Sequence, residues 1–302
     1  MIRKLFAAVV MVAVLCAGGV VQADDFWGSG SADWGNSGAV LFKLDTATGN
    51  IELTYGYSGW SYIMGVTYAP GNVLYAAHNT TDDLYNFKIA KVDAGTGVVL
   101  SDTPINTLSG TDIPIWNSLE YFNGDLYAVE NNSWGSSYTA NQYRGYIYQV
   151  DLDGNGDPAS AILGSYIGGY PAPDGALAYY DGTWYASDWN TNASSWIRTT
   201  TDIMNTDFTA TASTSPVGLF AGWDFEADGD LLGVSWYYDF NVYEIDKTTG
   251  VATALFNIGS QLPTSVTMLG GLSNTAVPEP TILSLLALGL IGIAGARKKF
   301  RK

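Results

Sequence analysis

The sequence predicts an all-β fold: a β-propeller of five four-stranded blades, one of them shared between the two ends of the body. Three observations predict it. A turn followed by a short aromatic strand recurs at residues 71–76, 123–128, 181–186 and 228–233, and its equivalent residues Leu74, Leu126, Trp184 and Leu231 lie 52, 58 and 47 positions apart. A second phrase alternates with it, a strand of period two ending in Asp before a Gly turn, at residues 41–45, 89–93, 147–151 and 242–246, with a degenerate copy at 196–200. The ends of the series are incomplete in complementary ways, the first segment supplying late strands of a unit and the last supplying an early one. A period near 50 with four short strands per unit is the pattern of propeller blades.

Taken in order, each unit reads as four strands. Strand a covers 64–68, 118–122, 176–180 and 222–226; strand b is the first phrase and strand c the second; strand d covers 51–55, 98–100, 161–166, 208–212 and 251–256. Alternation of period two, with Asn-Gly and Asp-Gly pairs at the reversals, supports hairpins within each unit. Residues 39–55 give strands c and d of the remaining unit, with a strand b near Phe26, and residues 265–269 give its strand a. Six blades would require further strands within 24–38, and a two-sheet β-sandwich or jelly roll is the rival fold. The repeats resemble the broad class of propeller repeats in secreted bacterial proteins over about residues 40–269, which implies architecture and not activity.

The two ends of the chain read differently from the body. Arg3 and Lys4 precede an apolar run from Leu5 to Val21, and Val21-Gln22-Ala23 is a small-residue cleavage site, so residues 1–23 read as a secretory signal peptide handled by Sec-type export and signal peptidase. The single Cys16 lies inside that leader, which leaves a body without disulfide or thiolate chemistry. At the far end stand Val277, Pro278, Glu279 and Pro280, then an uncharged run over 281–296, then Arg297, Lys298, Lys299, Phe300, Arg301 and Lys302. Sixteen helical residues at ~1.5 Å each span roughly 24 Å, a little short of the ~30 Å hydrocarbon core, and basic flanks can snorkel across the difference. The basic end belongs in the cytoplasm, which puts the body on the outer side. Pro278 and Pro280 hold the preceding segment extended, open to a processing enzyme. An ordinary C-terminal anchor is the plainer alternative.

The tail over 277–302 resembles the PEP-CTERM sorting signal of exported proteins in Gram-negative bacteria that make exopolysaccharide. The resemblance implies recognition by an exosortase-type membrane protease that cuts near the Pro-Glu-Pro motif. It also implies transient anchoring in the inner membrane and delivery to the cell surface or extracellular matrix, in an exopolysaccharide or biofilm setting.

Composition bounds the partners of the body, residues 24–276. Of 13 basic residues, two lie in the leader and five in the tail, leaving six; 28 of the 29 acidic residues lie in the body, whose formal charge is therefore −22. Such a surface repels nucleic acid and anionic membranes and suits divalent cations, cationic partners or plain solubility.

All ten tryptophans sit in the body. Trp134, Trp189 and Trp236 follow strand b at matching points, and Trp60 and Trp116 fall in d–a connections, beside the polar Glu130, Asp188 and Asp239. Flat rings bury the apolar faces of sugars while carboxylates bond hydroxyls, so these eight residues are the expected ligand-binding set; blade packing by the same rings is the structural alternative. Asp151, Asp153, Asn155 and Asp157 match the first half of a calcium loop, but Ile162 stands where the bidentate Glu belongs, so an Asx-rich turn competes with a weak Ca²⁺ site. No other cofactor is expected. His78 is the only histidine and has no nucleophile signature around it. The expected role is non-enzymatic, glycan-binding or structural; a polysaccharide hydrolase with paired carboxylates and a protein-interaction scaffold are the alternatives.

Overall fold

The computed structural model describes residues 25–32, 36–81, 83–104, 116–130, 145–168, 176–190, 194–215, 220–235 and 239–275, with the backbone alone at 83–86, 116–117, 130, 189–190 and 194. The leader expected at 1–23 and the tail 277–302, with the helix expected over 281–296, lie outside the described residues. Among the described residues no helix is long and apolar enough to cross a membrane.

The body is a five-bladed propeller of four-stranded antiparallel sheets. The split blade holds β1 (Asp25–Ser31), β2 (Ala39–Asp45) and β3 (Asn50–Tyr57). The second holds β4 (Trp60–Ala69), β5 (Val73–Thr80), β6 (Asp83–Asp93) and β7 (Val99–Pro104), and the third β8 (Trp116–Phe122), β9 (Asp125–Glu130), β10 (Tyr146–Leu152) and β11 (Pro158–Tyr166). The fourth holds β12 (Leu177–Tyr180), β13 (Thr183–Asn190), β14 (Ser194–Thr200) and β15 (Thr209–Ser213), and the fifth β16 (Phe220–Phe225), β17 (Leu231–Ser235), β18 (Asn241–Ile245) and β19 (Ala252–Asn257). The last strand, β20 (Met268–Asn274), returns to pair antiparallel with β1 and completes the split blade in the order β20-β1-β2-β3. Four whole blades and one divided blade are what the repeats predict, and residues 25–31 supply one strand rather than a sixth blade.

Burial follows strand position. The inner strands are buried on both faces, as in β16 and β20, whereas the outermost β3 alternates strictly between exposed and half-buried residues. Aromatic and aliphatic side chains fill the wedges between blades: Phe26, Phe42 and Leu44 pack with Val234 and Leu269, and Tyr75 and Leu119 with Leu126 and Val150. The reversals carry the expected chemistry. Asn123 and Asp181 take positive φ (55° and 44°) before their glycines, which twists each a–b hairpin the way its strands already twist. In the c–d turns an Asp side chain closes the loop on itself: Asp45 accepts from the Thr48 hydroxyl at 2.6 Å and the Ala47 amide at 2.9 Å, and Asp153 accepts from the amides of Asn155 and Asp157. The Thr48 hydroxyl pulls Asp45 below its ordinary 3.8, the Asp157 amide does so for Asp153, and the Thr249 hydroxyl for Asp246. These turns therefore contribute fully above the ordinary carboxylate value and weaken as pH falls below it.

The innermost strands β4, β8, β12, β16 and β20 stand side by side around the axis, and one repeated bond joins them. Thr67, Glu120, Ala178, Asp224 and Ser273 occupy the same register, opposite Tyr75, Tyr127, Tyr185, Leu232 and Trp27. Thr67 Oγ1 accepts the Tyr121 amide of the next blade at 2.8 Å, Asp224 the Asn274 amide at 2.7 Å, and Ser273 Oγ the Tyr68 amide at 3.0 Å. Glu120 accepts the Tyr179 amide in the same way. Ala178 has no acceptor, and there the fifth amide, of Phe225, is taken by the second oxygen of Asp224 at 2.7 Å. Every amide of the ring is thus answered by a side-chain oxygen, as buried backbone donors require.

The sequence places the closing strand a at 265–269, and the structure moves it to Met268–Asn274. Residues 259–261 form a 3-10 turn, and the Val266 amide donates to the Pro263 carbonyl at 3.0 Å, which delays the strand. The strand itself contains Gly270-Gly271, a pair that propensity counts against a strand but that close packing demands. A Cβ on Gly271 would sit 2.3 Å from the Val66 nitrogen, and one on Gly222 of β16 2.4 Å from the Leu272 nitrogen. Gly222→Ala is therefore expected to destabilise the body by about 2–3 kcal/mol, because backbone on both sides must shift. Equilibrium urea unfolding followed by tryptophan fluorescence measures this, and a change under ~0.5 kcal/mol would contradict the close approach.

Candidate functional site

Strand direction divides the propeller into two unlike faces. All a–b and c–d reversals leave one face, the turn face; all b–c and d–a connections leave the opposite, loop face. Both ends of the body lie on the turn face, where the Thr275 amide donates to the Asp25 carbonyl at 2.9 Å. The loop face is where strand b of each blade ends, and the residue at that end is polar in four successive blades. His78, Glu130, Asp188 and Ser235 stand opposite Lys88, Trp116, Trp196 and Phe220.

Two members of this set are fully buried with an unanswered atom. His78 is 0% exposed; its Nε2 meets Asp102 Oδ1 at 2.9 Å, while Nδ1 has no hydrogen-bond partner. Asp102 also accepts from Lys88 at 3.2 Å. Asp188 is likewise 0% exposed; Arg198 Nε donates to its Oδ2, the Trp196 amide also directs its hydrogen to the carboxylate, and no donor reaches Oδ1 in good geometry. Burial raises the Asp188 carboxyl above its ordinary 3.8 despite the adjacent guanidinium. Ser61 Oγ, at the loop-face end of β4, is a third buried polar atom with no partner. Unanswered buried polar atoms are few in folded proteins and call for a reason.

The expected ligand set is distributed unevenly. Trp60 is 8% exposed and sandwiched, with its ring 4.1 Å from Tyr57 and 3.7 Å from His78, both stacked. That is a packing position linking the split blade to the second, not an open platform. Trp116 opens β8 and Trp189 lies one residue from the end of β13, but of these only the strand position is described, as for Glu130. Trp134 and Trp236 lie outside the described residues. Asp188 is held inside by Arg198 rather than presented to solvent. Asp239 is engaged locally, accepting the Tyr243 hydroxyl at 2.6 Å and the Asn241 amide at 3.0 Å. His78, discounted in the sequence because it is alone, shares its register near the end of strand b with Glu130 and Asp188, an alignment the repeats already carry.

The half calcium loop is occupied from within. Asp151 accepts from Ser160 at 2.7 Å, and Asp153 caps its own turn. Asp157 accepts the Ser101 hydroxyl at 2.7 Å from the second blade. Lys91 of the same blade donates to the Asn155 carbonyl and lies 3.5 Å from Asp157, and Tyr75 donates to the Gly156 carbonyl at 2.6 Å. A tethered ammonium thus stands beside the candidate Ca²⁺ ligands, and the loop works as a clamp between blades. Elsewhere Glu226, Asp228 and Asp230 bring three carboxylates together in one a–b turn, where Lys247 donates to the Gly229 carbonyl at 2.6 Å.

Comparison with known families adds one finding. The chain carries a PEP-CTERM protein-sorting motif at residues 276–299. The motif implies an exported protein with a membrane-anchored C-terminal sorting signal, processed by an exosortase-type system. A search of curated protein sequences found no match. Solved structures similar to the chain include a protein of unknown function from Bacteroides caccae, 13% identical, covering 85% of this chain and 100% of its own, with a TM-score of 0.45. Another is a putative 6-phosphogluconolactonase from Bacteroides fragilis, 12% identical, covering 85% and 99%, with a TM-score of 0.43. A third is the PQQ-bound aldose sugar dehydrogenase from Streptomyces coelicolor, 14% identical, covering 82% and 81%, with a TM-score of 0.47. Likeness at this level bears on neither ligand nor activity.

Two expectations follow. Lys91→Met is expected to lower the stability of the body and to make it respond to Ca²⁺, with a thermal midpoint that rises in millimolar CaCl₂ while the wild type stays unchanged; differential scanning calorimetry with and without chelator measures both. Arg198→Ala leaves the buried Asp188 without its cation and is expected to cost about 3 kcal/mol in urea unfolding, and Asp188→Asn in the same background should recover part of that loss.

Proposed function

We propose that this exported propeller is a non-catalytic binding protein of the outer surface or matrix, and that its loop face takes a neutral, hydroxyl-rich chain such as an exopolysaccharide at the mouth of the channel. The observation that carries this reading is the run of polar residues at one register of strand b on the loop face, His78, Glu130, Asp188 and Ser235, of which Glu130 and Ser235 end their strands. A hydroxyl can both donate and accept, so one sugar chain suits carboxylate and hydroxyl groups alike. Pockets of mixed ring and polar character are common small-ligand sites.

The charge pattern favours a neutral ligand over a polyanion. Each cation among the described residues of the body is already engaged: Lys43 with Asp25 and Glu52, Lys88 with Asp102, Lys91 with Asp157, Arg198 with Asp188, and Lys247 with the Gly229 carbonyl. Among the described residues none is left to neutralise sulfate or uronate groups. The sorting motif fits this role by delivering the body to the place where such polymers accumulate.

The test is binding of the body, residues 24–276, to a panel of neutral and uronate-bearing polysaccharides by isothermal titration. Binding to neutral chains is expected, weakened about tenfold by Ser235→Ala or Glu130→Ala, since each removes a polar contact worth about 1.4 kcal/mol. Binding confined to uronate-bearing chains, or equal binding by the variants, would refute the proposal.

A further inference from the structure

Two of the four side chains that answer the ring of inner-strand amides are carboxyls. Glu120 on β8 and Asp224 on β16 flank β12, whose equivalent residue is Ala178, so only a methyl group stands between their blades at this level. Glu120 is 8% and Asp224 7% exposed, and β8 and β16 approach one another across the axis. The groups that share this level are uncharged: Thr67 from β4, Ser273 from β20 and Ala178 from β12. Tyr127, the cross-strand partner of Glu120 on β9, is the other ionisable group beside it, and no Lys, Arg or His contributes to the charge Glu120 experiences.

The hydrogen bonds distinguish the two acids. Asp224 accepts two amides, from Phe225 and Asn274, each at 2.7 Å, whereas Glu120 accepts one, from Tyr179. Two amide donors hold a carboxylate in its charged form; a buried neighbour with one donor and no cation is better neutral. We propose that Glu120 and Asp224 share one proton, held on Glu120, and that this proton latches the propeller ring closed. Burial first, and then the charge on Asp224, lifts the Glu120 carboxyl well above its ordinary 4.5.

The sign of the linkage follows from that direction. A carboxyl whose folded value is raised contributes its full stability below its ordinary value, and that stability drains away as pH rises above it, because the unfolded chain releases a proton that the folded ring must keep. The capped turns at Asp45, Asp153 and Asp246 act in the opposite sense and only below pH ~4, whereas Asp188, also raised by burial, acts in the same sense, so between pH 5 and 8 the latch is read from the difference between wild type and Glu120→Gln.

The experiment is thermal unfolding of the full chain in mild detergent across pH 5 to 8, read by tryptophan fluorescence, since all ten tryptophans lie in the body. The wild-type midpoint is expected to fall as pH rises. Glu120→Gln, which mimics the protonated carboxyl, is expected to remove part of that slope and to melt about 3 °C or more above wild type at pH 8 but little above it at pH 5. Asp228→Asn, an exposed change of the same charge, should leave the slope intact. Should Glu120→Gln fail to fold, Asp224→Asn gives a second reading: a lower midpoint at every pH, with a flattened slope. Glu120→Gln that melts lower by the same amount at every pH overturns the proposal. So does a wild-type midpoint at pH 8 that rises with CaCl₂ or NaCl while the Glu120→Gln midpoint does not, because a cation would then neutralise the pair.

Discussion

Everything in this propeller depends on how five inner strands answer one another's amides across the axis. Within a blade the ladder satisfies the backbone, but between blades the described backbone pairs only at isolated points such as the Ser215–Val251 bridge, and the amides of Tyr68, Tyr121, Tyr179, Phe225 and Asn274 face a neighbour rather than a partner strand. Oxygen-bearing side chains at a single register supply the missing acceptors. Their short reach requires the strands to stand close, which in turn excludes a Cβ at Gly222 and Gly271. The buried carboxyls, the glycines and the alanine at position 178 are parts of one solution to closing a ring of only five blades.

Much of the architecture was legible because the repeats are regular where hairpins need them to be. The phrase Asn-Gly-Asp-Leu-Tyr-Ala at 123–128 fixes a turn and a strand together, and its copies fix the blade count. The divided blade was legible from the incomplete first and last segments. The position of β20 was not, because Gly270-Gly271 reads as a break in any scale of strand propensity, yet those glycines are there for packing between blades, an effect several strands away in sequence.

The candidate site was less legible, for a physical reason. Aromatic residues draw attention as sugar platforms, but a ring such as Trp60 gains more by stacking between Tyr57 and His78 than by facing solvent. The informative residues were polar ones at the end of strand b, whose meaning appears only when the blades are superimposed and their hydrogen bonds counted. The loop at 151–157 makes the same point. Its acids look like metal ligands in one dimension, while the ammonium that meets them comes from Lys91, more than 60 residues earlier.

The order of the strands also sets when this molecule can exist. The innermost strand of the split blade is the last to be made, and Ser29 bonds to the Gly271 amide across a sequence separation of 242 residues. A chain crossing a membrane from its N-terminus can form hairpins and single blades as it emerges, yet it cannot close the circle until residue 274 has passed. The sorting motif at 276–299 follows almost at once, so the circle closes only as that segment reaches the membrane. For an exported chain, folding of the ring is thus tied to the arrival of its sorting signal rather than to the emergence of any single blade.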